Sequence, residues 1–161
     1  MPIAVISDWI QSLPLCTYVR ESELLYPFIM TAHLACIAFF GGLILLSDLR
    51  LLGLVFEDVP APLLIARVRP LKRVGFVAMV IAGLLLATAK MNQYYSNPFF
   101  ITKILLLAGT GIHALAFRRS VYGRGASAEG PQAKLAGALS LVLWIAILSL
   151  GRWIAYYEAP K

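Results

Sequence analysis

His33, Lys103, His113 and Arg152 are the ionisable side chains that fall within, or just inside, the long apolar stretches of this chain. Imidazole nitrogens ligate transition metals and haem iron, a deprotonated lysine can do the same, and charged Lys or Arg pairs with carboxylates. Such groups are costly in hydrocarbon, so they face other helices and find partners there. Counted inward from one membrane face at about 1.5 Å per residue, Arg152 lies roughly 3 Å deep, Lys103 roughly 7 Å, His33 roughly 14 Å and His113 roughly 22 Å. This ladder suits a haem b held between helices: His33 is the axial iron ligand, His113 or Lys103 the second ligand, and Arg152 or Lys103 a propionate partner. Gly109, one turn before His113, leaves room for a flat macrocycle.

Met30, His33 and Cys36 form a second constellation, a slanted stripe spaced by three along one helix. Thioether, imidazole and thiolate are the donors a Cu(I) path would use, though Met and Cys are equally ordinary packing residues. Within the apolar stretches there is no nucleophile with a base, no phosphate-cradling glycine loop and no carboxylate pair, so nothing points to hydrolysis. Whether the chain is an enzyme stays open.

The elements that must position these groups are membrane spans. Of 161 residues, 60% are hydrophobic and only 14% charged, more apolar surface than a soluble domain of this size can hide. Leu24 to Leu46 carries no formal charge and is long enough to cross a bilayer. Further spans are read over 74–89, 99–117 and 135–154. The expected fold is all-α: an integral membrane up-and-down four-helix bundle in a single domain over 1–161. Within 1–23, apolar residues at helical spacing up to Pro14 predict a short interfacial helix. No signal peptide is read there, so the mature chain is expected to begin near Met1. Pro60, Pro62 and Pro70 argue against one continuous helix before residue 74. Arg118 to Lys134, rich in Gly, Ser and Arg, reads as a flexible linker. The pairs Ala38 and Gly42, Ala78 and Ala82, and Ala133 and Gly137 are expected to allow close helix approach. Asp48, Arg50 and Gly53 read as a helix-end and loop-fixing cluster, with Arg69 or Arg73 as pairing partners, against the stronger alternative of a solvated interface.

The net charge of +6 sits beside the spans and forms no nucleic-acid-binding face. Arg50, Arg67, Arg69, Lys72 and Arg73, with Arg118, Arg119, Arg124 and Lys134, crowd the loops at one membrane face, which the positive-inside rule makes cytoplasmic. A bacterial inner-membrane protein with both termini periplasmic follows. Tyr26, Tyr94, Tyr95, Trp153, Tyr156 and Tyr157 are expected as its outer aromatic belt. Cys16 and Cys36 give no disulfide framework. The expected partners are the lipid bilayer, a quinone or membrane redox protein, and further copies or subunits.

The stretch AHLACIAFFGGLILLSDLRLLG, with NPFFITKILLL and LGRWIAY, resembles a family of small bacterial four-span membrane proteins without a known function. More distantly, the first stretch is similar to HemJ-type protoporphyrinogen oxidases and CopD-type copper-resistance membrane domains. The HemJ-type resemblance implies haem b at the positions of His33 and Lys103. The HemJ-type proteins commonly have Trp where this chain has Phe40, and the DLR segment, Asp48 to Arg50, belongs to the uncharacterised family. The leading expectation is a haem-b-binding electron-transfer protein. Its rivals are copper handling and a structural or assembly subunit.

Overall fold

A computed structural model of the chain describes residues 2–157. Its elements are helices: α1 (Pro2–Ser12), α2 (Pro14–Glu21), α3 (Leu25–Leu52), α4 (Ala61–Ala89), α5 (Met91–Tyr94), α6 (Pro98–Ala116), a π turn over Arg118–Tyr122, α7 (Gly130–Trp153) and a closing 3-10 turn over Ile154–Tyr156. The described residues contain no strand. α3, α4, α6 and α7, the last continued by the closing turn, are long and apolar enough to cross a membrane. They carry exposed Leu, Ile, Val and Phe along their outer faces, including Leu34, Ile81, Leu105, Ile112 and Val142. Apolar side chains left outward at membrane depth contact lipid, so this is a multi-pass membrane protein.

The helices follow one another in space as α4, α3, α7 and α6; α3 packs on both α4 and α7, and α6 packs mainly on α7. α4 and α6 do not pack closely, which opens the bundle along one side. Close approach comes at one expected glycine, Gly137, and at one not expected, Gly41. A Cβ on Gly41 would fall 2.5 Å from Trp144 Nε1, and one on Gly137 would fall 3.0 Å from the Asp48 carbonyl oxygen. Gly137 thus keeps its expected role, whereas Gly42 meets nothing within 4 Å.

Several boundaries depart from the sequence expectation. α4 begins at Ala61 and runs through Pro70 without ending. Pro60 and Pro62 stand at the helix start, where a missing N–H costs nothing, and Pro70 frees only the carbonyl of Ala66, an exposed residue whose carbonyl can find other donors. The linker is docked instead of flexible. Val121, Ala126 and Ala128 are buried, Val121 and Ala128 in one cluster with Leu51, Ile65 and Ala133, and Arg69 Nη2 donates to the carbonyls of Tyr122 at 2.8 Å and Gly123 at 3.3 Å. The N-terminal segment is two helices broken before Pro14, and both pack against α4. Asn92 Nδ2 donates to Asp8 Oδ1 at 2.6 Å, tying α1 to α5.

Candidate functional site

One cavity of about 2390 Å³ runs through the bundle beside the opening between α4 and α6. On α3 its wall is the stripe His33, Ile37, Phe40, Ile44 and Asp48, spacings of four, three, four and four that hold one helix face.

His33 marks one end. Its ring lies on α4 where Gly83 omits a side chain: a Cβ there would come 2.9 Å from His33 Cε1. Nδ1 is buried without a hydrogen-bond partner; the backbone of Met79, one turn before Gly83, is the polar group beside the ring, and Lys103 is the cation beside it. The Lys103 stem and Nζ rest over Gly151 of α7, with Nζ 3.4 Å from where a Cβ would stand. The structure therefore brings His33 and Lys103 to one level, whereas counting inward separated them by about 7 Å. Helix α3 starts further out than α6, and counting from a common face missed that offset.

Beyond His33 the middle of the cavity is apolar and aromatic. Phe40 meets Trp144 edge-on at 5.4 Å and Phe76 at 5.6 Å. Cys36 packs against the Met79, Trp144 and Ile147 cluster, while Met30 and His33 line the cavity. The Met30, His33 and Cys36 stripe thus does not converge there. The described residues hold no group of three His, Cys, Asp or Glu able to hold a metal ion.

The far end is polar again. His113 Nε2 is 3.1 Å from the Ala136 carbonyl, so that nitrogen carries a proton and donates it. His113 stands ten residues after Lys103 on α6, and Ala136 fifteen before Gly151 on α7. Those offsets put His113 roughly 15 to 22 Å from the His33 level along the bundle. Both axial ligands bind one iron directly, so His33 and His113 are not brought to a shared metal. Gly109 faces open space, and Gly111 takes its place on the cavity wall.

Asp48 is the residue that sequence reasoning undervalued. It is 1% exposed, with Oδ2 unpartnered, and Ser140, Lys72 and Tyr122 are its polar neighbours. Arg50 fixes the following loop, as the loop-fixing reading had it, by donating to the carbonyls of Val59 at 2.6 Å and Glu57 at 3.2 Å. Gly53 closes α3 in the left-handed region at φ 76°, the conformation glycine adopts most cheaply. Asp48 falls on the His33 face at helical spacing, and that was the signal available in the sequence. Burial, with the Asp48 carboxylate beside it, pushes the Tyr122 hydroxyl well above its ordinary range.

At the His33 end the rim gathers Tyr26, Tyr94 and Tyr157 of the expected aromatic belt, with Lys90 and Arg152 among them. Lys90 Nζ sits 4.3 Å over the Tyr26 ring, Tyr94 stacks on Phe100, and Arg152 donates to the Tyr156 hydroxyl at 2.5 Å. Burial first, and the neighbouring Tyr26, push the Tyr94 hydroxyl up to about 12. Asn97 caps α6 by accepting from the Phe99 and Phe100 amides at 3.0 and 3.2 Å.

Residues 17–157 match the model of a family described as a family of unknown function, DUF6644. The chain belongs to this family. The match covers all four DUF6644 spans and the whole cavity wall, and it begins within α2. It links DUF6644 to neither the HemJ-type oxidases nor the CopD-type domains. No curated protein and no solved structure matches the chain.

Proposed function

We propose that the protein binds haem b and serves electron transfer in the membrane, with His33 as axial ligand. The observation that carries this reading is the His33 ring on the cavity wall, its Nδ1 sealed against α4 beside Gly83. A proton kept on Nδ1, with the Met79 backbone as the polar group at hand, leaves the Nε2 lone pair for a metal. The residues fit the group in three further respects. Lys103 stands at the same level and serves as second ligand when neutral or as a carboxylate partner when charged. Arg152 and Lys90 line the cavity at that end, where propionates need cations. The midsection around Phe40 and Trp144 gives the site apolar, aromatic walls on its far side. Haem, when bound, supplies one-electron chemistry, and the chain tunes it through ligand, burial and nearby charge.

The opening between α4 and α6 gives a lipid-soluble redox partner, of which a quinone is one, a side entry from the bilayer. The basic residues gathered at the far end favour an inner-membrane orientation with that end cytoplasmic and both termini periplasmic. The test is the visible spectrum of the detergent-purified protein expressed with ample haem. A Soret band with near-stoichiometric haem supports the reading, and a colourless protein overturns it.

A further inference from the structure

We infer that the far end of the cavity binds the phosphate headgroup of an anionic lipid, whose acyl chains lie along the opening between α4 and α6. Charge and access at this end point to such a ligand independently of haem. Nine cationic side chains line the cavity against a single carboxylate, Asp48. Five of them, Lys72, Arg73, Arg118, Arg119 and Arg124, come from α4 and the linker at the Asp48 end. The described residues contain one ion pair, Arg20 with Glu21, so these five have no carboxylate within pairing distance. Asp48 is the Coulombic partner of Lys72, which leaves Arg73, Arg118, Arg119 and Arg124 without a facing carboxylate. Lys72 is partly buried on the cavity wall beside Asp48, while the four arginines around it are exposed to whatever enters this end.

The cations are also held in place. Arg69 ties the linker to α4 through the carbonyls of Tyr122 and Gly123, and Val121, Ala126 and Ala128 anchor it in the core. Arg118, Arg119 and Arg124 are therefore presented by a docked segment with little ordering left to lose on binding. The opening between α4 and α6 leaves Phe76, Val80, Leu84 and Ile104 on apolar walls that run away from this basic end. An anionic group at one end of an apolar slot open to the bilayer describes a phospholipid, and free phosphate would use only the basic end.

Native mass spectrometry of the full chain in detergent, with added phosphatidylglycerol, phosphatidylcholine or inorganic phosphate, tests this. Phosphatidylglycerol should stay bound where phosphatidylcholine dissociates, and millimolar phosphate should not displace it. Lys72→Gln with Arg118→Gln should weaken binding about fivefold per charge removed. Arg67→Gln with Lys134→Gln is the control, because those exposed cations flank the same end outside the cavity, and it should bind as wild type. Should the Lys72 variant fail to fold, the exposed pair Arg119→Gln with Arg124→Gln takes its place. Equal losses in the cavity pair and the control pair would reduce the effect to general interfacial charge and overturn the proposal. So would equal retention of phosphatidylcholine, or displacement by phosphate. None of these readouts depends on haem.

Discussion

Replacing Gly83 by alanine probes the seating of His33 directly. The new methyl would stand 2.9 Å from His33 Cε1, where carbon atoms prefer about 3.5 to 4.0 Å. The ring must therefore move by about 0.5 to 1 Å. Overpacking of this kind costs about 1 to 3 kcal/mol, while alanine in place of glycine in a helix returns about 1 kcal/mol. The net loss is about 0 to 2 kcal/mol by these magnitudes, with the larger consequence falling on the position of the imidazole. Two controls isolate the cause. In Gly151→Ala the methyl stands 3.4 Å from the flexible Lys103 Nζ, an ordinary contact, so that variant should be as stable as wild type or more so. In a His33→Ala background the ring is gone, and Gly83→Ala should turn neutral or stabilising by about 1 kcal/mol. Thermal unfolding in detergent reads the four proteins of the Gly83 and His33 cycle, and visible spectra read the site. If Gly83→Ala is equally costly with and without His33, the packing of ring on glycine is not what Gly83 provides.

Gly137→Ala should destabilise the bundle by about 1 to 3 kcal/mol, since its methyl meets the Asp48 carbonyl oxygen at 3.0 Å and Leu51 Cβ at 3.1 Å and backbone cannot yield as a side chain does; thermal unfolding reads it. Arg69→Ala removes two charge-assisted bonds to the linker, each worth about 1.5 to 3 kcal/mol, and should speed tryptic cleavage at Arg124 by about tenfold or more; an unchanged rate would mean that the buried alanines alone hold the linker. Tyr94, raised to about 12 from 10.0, keeps its proton in the fold where the unfolded chain loses it. Stability should therefore fall as pH rises from 10 toward 12, and Tyr94→Phe should lose less of its melting temperature over that interval.

The spans were legible because length and unbroken apolarity say nearly everything about a helix in lipid. Leu24 to Leu46 marks most of α3, and the span read over 99–117 nearly coincides with α6, which opens at Pro98. The ends were less legible where helices leave the apolar zone. α4 extends back to Ala61 through Arg67, Arg69 and Pro70, residues whose charge and missing N–H read locally as loop. α7 likewise begins at Gly130, inside what composition marks as linker. That linker looked mobile because Gly, Ser and Arg dominate it, yet three small apolar residues dock it, and such a signal is invisible before the receiving surface of Leu51, Ile65 and Ala133 is known.

The site was partly legible for the same reason. His33 and Lys103 stand out as ionisable groups in apolar stretches, and the structure brings them to one level. Their relation depends on where each helix starts along the membrane normal, which residue counting fixes only loosely. That looseness also put His113 too close to His33. Asp48 lay on the His33 stripe at helical spacing, but its place at the end of the apolar run, with Arg50 two residues on, made it look solvated. Gly83 could not be singled out, because the ring it accommodates comes from another helix.

The most direct test of the haem reading is a reduced-minus-oxidised absorbance spectrum of purified wild type beside His33→Ala, His113→Ala and Lys103→Gln. The account predicts b-type bands in wild type, their loss in His33→Ala and their retention in His113→Ala, because His113 is committed to the Ala136 carbonyl and lies at the other end of the cavity. A shifted spectrum in Lys103→Gln would identify Lys103 as the second ligand. Wild-type bands that survive His33→Ala, or a wild type without bands when haem is plentiful, would contradict the account.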